Sequence, residues 1–474
     1  MKQLIQKFKE RGYLLAPELM SLNDSDLLSL YNYIEENKGD LRILDDNYYN
    51  NIKSKAIPKM VVRKGDNLNV EVLSNFSADE ERSDINGFIR LYTYRYHKLS
   101  EILKQRTELQ NAIPIKQATE VNNDNVAVLG MISSVNESKN GNLIVSLEDP
   151  SGVIRCIISS RNSQLFQKAQ LLVVDEVIGV VGNKKGIFIL VENLFFPDIP
   201  NSLPIKKVQD DVSVAYLSDI HVGSKDFMGE NFQRAIDFLK SRNDIGYIFV
   251  TGDLVDGVGI YPSQEQELEI KDIYKQFQVF SEFIKQLPDD KQIIIAPGNH
   301  DGMRLAEPQP PLFKEFLPDL YNMKNITMVS NPAYVNIHKT PDFDGFTHLM
   351  YHGYSFDHYC LDVQALRTAG GYGRIDKVVE FLLKKRHLVP VHGSTLIKPA
   401  EKDRLIIDKI PDVVTTGHVH NLRIGNYKHI NLIGCACFQR ATGDSFQERL
   451  GHLPTPGLVP VMSLKNREVN VFKF

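Results

Sequence analysis

Five times after residue 210 of this 474-residue chain an apolar run ends in a short loop carrying Gly with Asp, Asn or His. The stretches are "VSVAYLSDIHVG", "GYIFVTGDLVDG", "QIIIAPGNHDG", "THLMYHG" and "DVVTTGHVHN". Short continuous apolar runs bounded by turn residues read as fully buried strands. Helical patterns expected over Glu230–Ser241 and Glu265–Leu287 fall between the first three, which makes the arrangement α/β. In such folds ligands bind at the carboxyl ends of the strands, where these polar residues lie.

The residue types are those that hold cations. Asp219 and His221, two apart beyond the first strand, can converge on one ion. Asp253 follows the second strand beside Gly252, and a carboxylate there can bridge two ions. Asn299 offers a carbonyl oxygen, leaving its neighbour His300 free to face a substrate. His352, His418 and His420 complete the set, and Asp256 reads as a supporting group or helix cap. Imidazole, carboxylate and amide oxygen together suit Mn, Fe or Zn better than the all-oxygen shell of Mg or Ca.

In this order the motifs resemble those of the calcineurin-like metallophosphoesterase superfamily. The resemblance implies two divalent metal ions, and among the metals that suit this donor mix manganese is expected ahead of iron or zinc. It implies that Asp219, His221, Asp253 and His420 hold the first ion, and that Asp253 bridges to a second completed by Asn299, His352 and His418. His300 would contact the scissile phosphate or protonate the leaving oxygen.

Upstream, five strand-like runs between Asn125 and Pro200 are punctuated by "KNGN", "PSG" and "NKKG", with a short helix around Leu165–Ala169 after the third. Three strands, a helix and two strands is the order of an OB-fold barrel. "INGFIRLYTYRYHKLSEILKQR" (Ile85–Arg106) reads as a helix, and "KGDNLN" and "SADEERSD" before it as linker. Residues 1 to about 40 carry two helical patterns, Gln3–Glu10 and Ser25–Glu36. The expected fold is therefore an α/β metallophosphoesterase sandwich preceded by an OB-fold β-barrel and a small N-terminal helical domain. The expected boundaries are 1–45 helical docking domain, 46–84 flexible linker, 85–115 connecting helix, 116–204 barrel and 205–474 phosphoesterase.

Barrel and phosphoesterase together, with the extensions "GDLVDGVGIYP", "YHGYSFD" and "PDVVTTGHVH", resemble the small subunits of archaeal family D DNA polymerases. That resemblance implies a metal-dependent 3′-to-5′ exonuclease acting as the proofreading partner of a large catalytic subunit, on single-stranded or mismatched DNA 3′ ends. The N-terminal helices would reach other replication factors. A polymerase scaffold lacking catalysis and a general metallophosphoesterase are the alternatives. One departure is His358, where the family usually carries a second acidic residue.

Composition excludes other classes. No run approaches the roughly 18 apolar residues of a membrane helix, and "MKQLIQKFKERGY" lacks a signal-peptide core, so a cytoplasmic location is expected. Four cysteines do not make a disulfide framework, and Cys435 and Cys437 in "CAC" read as buried small side chains rather than a metal clip. Net charge of −4 leaves any nucleic-acid affinity to local patches, of which Lys384–Arg386 is a candidate.

Overall fold

In the computed structural model the described residues are 68–76, 84–121, 124–443 and 445–474, with Gln6, Phe8 and two-residue strands at Leu14–Leu15 and Ile43–Leu44 that pair in parallel. The helical domain expected over 1–45 otherwise lies outside the described residues. The expected 46–84 linker needs correction, because it contains a strand, β1 (Val70–Ser74), paired antiparallel to a strand at residues 333–337. Five residues between charged runs are too short to show a period. Their pairing partner lies some 260 residues away and exists only in the folded chain.

Helix α1 (Ile85–Leu103) is N-capped by Asp84, whose carboxylate accepts from Gly87 N at 2.7 Å. It buries Leu91, Arg95, Leu99 and Leu103, an i, i+4 stripe. The barrel follows: β2 (Asn125–Glu137), β3 (Leu143–Asp149), β4 (Gly152–Ile158), β5 (Val177–Lys185) and β6 (Phe188–Phe195). It closes in the order β2-β3-β4-β6-β5, with β5 returning to β2. A short helix, Ser163–Ala169, sits between the third and fourth strands as the sequence implied. Alternation sets the inside: Ile154, Cys156 and Ile158 of β4 are buried in the barrel core while Val153 and Arg155 face out.

The rest of the chain folds into two six-stranded sheets. The first contains β7 (Ser213–Leu217), β8 (Ile245–Thr251), β9 (Gln292–Ala296), β10 (Ile326–Met328), β16 (Leu458–Ser463) and β17 (Val469–Lys473), in the order β10-β9-β8-β7-β16-β17. The second contains β11 (Ala333–Ile337), β12 (Phe346–Met350), β13 (Val413–Thr416), β14 (Arg423–Tyr427) and β15 (Ile430–Gly434), in the order β14-β15-β13-β12-β11-β1. The strands that precede candidate ligands pair in parallel, β7 with β8 with β9 and β12 with β13. Apolar residues from both sheets, among them Val214, Phe249, Ile294, Val335, Met350 and Ile433, make one buried core. On the outer faces lie α2 (Gly229–Ser241) and α3 (Ile273–Ile284) over the first sheet, and α4 (Phe356–Asp362) and α5 (Ile375–Lys385) over the second. Being covered on both faces explains why these strands are continuous apolar runs. Helix α3 is shorter than the 265–287 expected, because Asp272 caps it by accepting from Tyr274 N and Lys275 N.

Two buried ionic contacts tie barrel, α1 and sandwich together. Arg95 donates to Asp403 at 2.7 Å and to the carbonyls of Pro390 and Asp175. Lys385 donates to Glu176 at 2.8 Å. Lys384–Arg386 is therefore not a surface patch for nucleic acid: Lys385 and Arg386 are buried, Arg386 donating to the Ile407 and Asp408 carbonyls. A helix end that packs on a neighbouring barrel has the same sequence as one facing water.

Removing Arg95 leaves the Asp403 carboxylate buried without its main partner. Arg95→Met is expected to cost about 3–5 kcal/mol of unfolding free energy, whereas loss of the Lys384–Glu380 pair in Lys384→Ala costs under about 1 kcal/mol. Urea unfolding of both variants measures the difference.

Candidate metal centre

The parallel strands of the two sheets end at one edge of the sandwich, where their loops meet. Asp219 and His221 follow β7, Asp253 follows β8, Asn299 and His300 follow β9, His352 follows β12, and His418 and His420 follow β13. All eight are buried. Five hold a left-handed backbone: Asp219 (φ 51°), His221 (54°), Asp253 (50°), His418 (69°) and His420 (57°). Each such non-glycine residue costs about 1–2 kcal/mol, which the surrounding loops must offset. They do so by loop-to-loop bonds: Asp219 N donates to Gly252 O (3.0 Å), Ile220 N and His221 N to Asp253 O (2.8 and 3.1 Å), and Gly417 N to His352 O (2.9 Å). Gly298 packs so closely on Asp253 that a methyl in its place would overlap the carboxylate.

Among the described residues three groups of side chains bring ligand atoms together; one is His221, Asp256 and His300, and the other two consist of the expected metal ligands alone. Of these two, Asp219, His221 and His420 form one, and Asp253, His352 and His418 the other. His221 Nε2 lies 3.0 Å from His420 Nε2 and 3.8 Å from the Asp253 carboxylate, and His420 Nε2 lies 3.5 Å from Asp219. His352 Nε2 lies 3.2 Å from the same Asp253 oxygen and 3.0 Å from Asn299 Oδ1, which is also 3.0 Å from His418 Nδ1. Asp253 thus reaches both groups of expected ligands.

Hydrogen bonds on the far side of each ring fix which nitrogen faces the centre. His352 Nδ1 donates to Thr251 O (2.8 Å), and His221 Nδ1 to Asp256 (2.9 Å). A neutral His352 then turns a lone pair toward two oxygens, a repulsive contact unless positive charge lies between them. Burial works against charging these rings, but carboxylates outweigh it. Asp256, Asp253 and Asp219 raise His221 to about 9, and Asp253 raises His352 to about 10. Asp253 is opposed by burial too, yet the charges on His352 and His300 hold it well below the usual carboxylate range. This demand for positive charge at inward-facing imidazole and carboxylate atoms is the chemistry of a cation site, so the residues present fit divalent metals.

His300 donates from Nδ1 to Asp256 O and from its backbone N to Asp253 Oδ1, both at 2.8 Å, and its ring lies 4.8 Å from that of His221. Asp256 therefore supports two histidines and does not cap a helix. His358 instead pairs with Asp362 at 3.0 Å on a partly exposed face of α4. Cys435 and Cys437 are buried free thiols, raised to about 12 by burial, and belong to none of the three groups.

Three participants are not legible as site residues in the sequence. Asp301 accepts from Leu254 N, Val255 N and Gly298 N, pinning two ligand loops, and burial with the Asp253 charge raises it to about 7. Asp357 accepts from His418 Nε2 (3.1 Å) and His452 Nε2 (2.9 Å). His452 lies in "GHLPTPG", a loop with no apolar run before it, so the strand-end pattern gives no signal.

Two outcomes are expected. Because His221 and His352 titrate above neutrality, a cation must displace their protons, so uptake of Mn2+ releases protons and tightens between pH 6 and 8. Calorimetry in two buffers of different ionisation enthalpy reads that release. Gly298→Ala, by displacing Asp253, weakens Mn2+ binding at least about tenfold, seen in the same titration.

In sequence, the chain is similar to subunits of DNA polymerases. The family of B-type subunits of DNA polymerases alpha and epsilon matches residues 214–422. The chain is 35% identical over 98% of its length to the DNA polymerase II small subunit of Methanothermobacter thermautotrophicus, covering 98% of that protein. It is 31% identical to that of Thermoplasma acidophilum over 99% of this chain and 92% of the relative. Against that of Methanocaldococcus jannaschii it is 35% identical over 80% of this chain and 64% of the relative.

Proposed function

The chain belongs to the family of archaeal DNA polymerase II small subunits, the family D enzymes, and on that premise we propose that it is a metal-dependent 3′-to-5′ exonuclease that proofreads for a large catalytic subunit. Membership implies the large subunit as a partner. The observation that carries the nuclease reading is the Asp253 carboxylate, reached by His221 of one group and His352 of the other, with imidazole nitrogens turned inward on both sides. A scaffold has no use for buried charge arranged at such cost in backbone strain.

In this reading Asp219, His221, Asp253 and His420 hold one divalent ion, and Asp253, Asn299, His352 and His418 a second, manganese preferred. Two such cations would neutralise a phosphodiester and acidify an attacking water. Asp256 and Thr251 O keep His221 and His352 in the tautomer that offers Nε2. His300, with Nδ1 committed to Asp256 O, has Nε2 to contact the scissile phosphate or to hold a proton for the leaving 3′ oxygen. Burial lowers its pKa, and the negative phosphodiester would favour the proton. The DNA 3′ end, single-stranded or mismatched, is the substrate.

The test uses the complex with its large subunit and a 3′-labelled single strand in Mn2+. Asp253→Asn and His352→Ala are expected to abolish nucleotide release, and His300→Ala to slow it by about 100-fold or more, with polymerase assembly intact in all three. Unchanged release from Asp253→Asn would overturn the assignment, and no metal and no release in the wild type would leave a scaffold.

A further inference from the structure

The metal-facing histidines are not held alike. His221 and His352 are tethered through Nδ1 by groups in or beside the loop after β8, Asp256 and the Thr251 carbonyl, both fully enclosed. His418 is turned the other way: Nδ1 faces Asn299, and Nε2 is tethered by Asp357. Asp357 stands on α4, outside the strand-end loops, with 28% of its side chain exposed. The same carboxylate takes a second N–H from His452, which is 3% exposed and lies beside the rings of His418 and His420, at 5.8 and 6.3 Å between centroids.

We infer that Asp357 is a positioning residue for the second cation: it fixes His418 in the tautomer and orientation that offer Nδ1, and His452 holds Asp357 in place. This rests on the two-cation reading above. Without the Asp357 acceptor, the His418 ring can carry its proton on Nδ1 or rotate about its Cβ bond, and either change removes the lone pair from Asn299. The other group keeps its own tethers and is left as it is. Carboxylates that accept from the outer nitrogen of a ligating histidine commonly govern metal affinity by 10–100-fold.

The test is titration of the metal-free chain with Co2+, following visible absorption and heat, which needs no turnover. Wild type is expected to take up two Co2+ per chain. Asp357→Ala should bind one ion as wild type does and the other about 10–100-fold more weakly, with the spectrum of the retained ion unchanged. His452→Ala should shift the same ion by less, and Asp357→Glu should restore part of the loss. His358→Ala, on the same helix but paired with Asp362, should match wild type. Equal weakening of both ions in Asp357→Ala, or none, would overturn the inference. A wild-type chain that binds no Co2+ would fail at the first step and overturn the two-cation reading itself.

Discussion

The gathering of two buried carboxylates and four imidazoles at one edge of the sandwich organises the two-sheet part of this chain. Such an edge is unstable by itself, since its groups are desolvated and several face atoms that cannot donate to them. The scaffold answers by rigidity. Two sheets share one core, so the loops after five strands are delivered to one place, and bonds between neighbouring loops hold the candidate residues in left-handed backbone that isolated turns would abandon. Asp301 shows the economy of this arrangement: a carboxylate that touches neither group binds three backbone N–H donors and joins the loops after β8 and β9.

The barrel is attached by chemistry of a different kind. Helix α1 buries leucines against barrel residues such as Met131 and Phe195, while Arg95 reaches Asp403 in the long segment between β12 and β13. Lys385, at the end of α5, reaches Glu176 of the barrel, and burial pulls its ammonium down to about 8 against the pull of that carboxylate. Breaking either contact would leave a buried charge without its partner. These contacts also account for basic residues that, in sequence, look like a surface for nucleic acid.

What the strand-end pattern made legible was the part built by local rules. Apolar runs of strand length, each followed by Gly with Asp, Asn or His, pointed to the layered α/β class and to the edge at which the eight residues come together. The barrel was readable for the same reason, since its turns and the helix after its third strand are local signals.

What only the tertiary structure decided was partnership across distance. Strand β1 is a strand because β11 offers it an edge. Lys385 and Arg386 are structural because a barrel and a loop cover them. Asp357 and His452, 95 residues apart, become one hydrogen-bonded pair against His418 only when α4 and the loop after Gly451 meet at the same edge. Periodicity and turn chemistry act over a few residues, so a sequence announces the candidate residues at strand ends. The groups that hydrogen-bond to those residues come from wherever the folded chain passes, and no local period marks them.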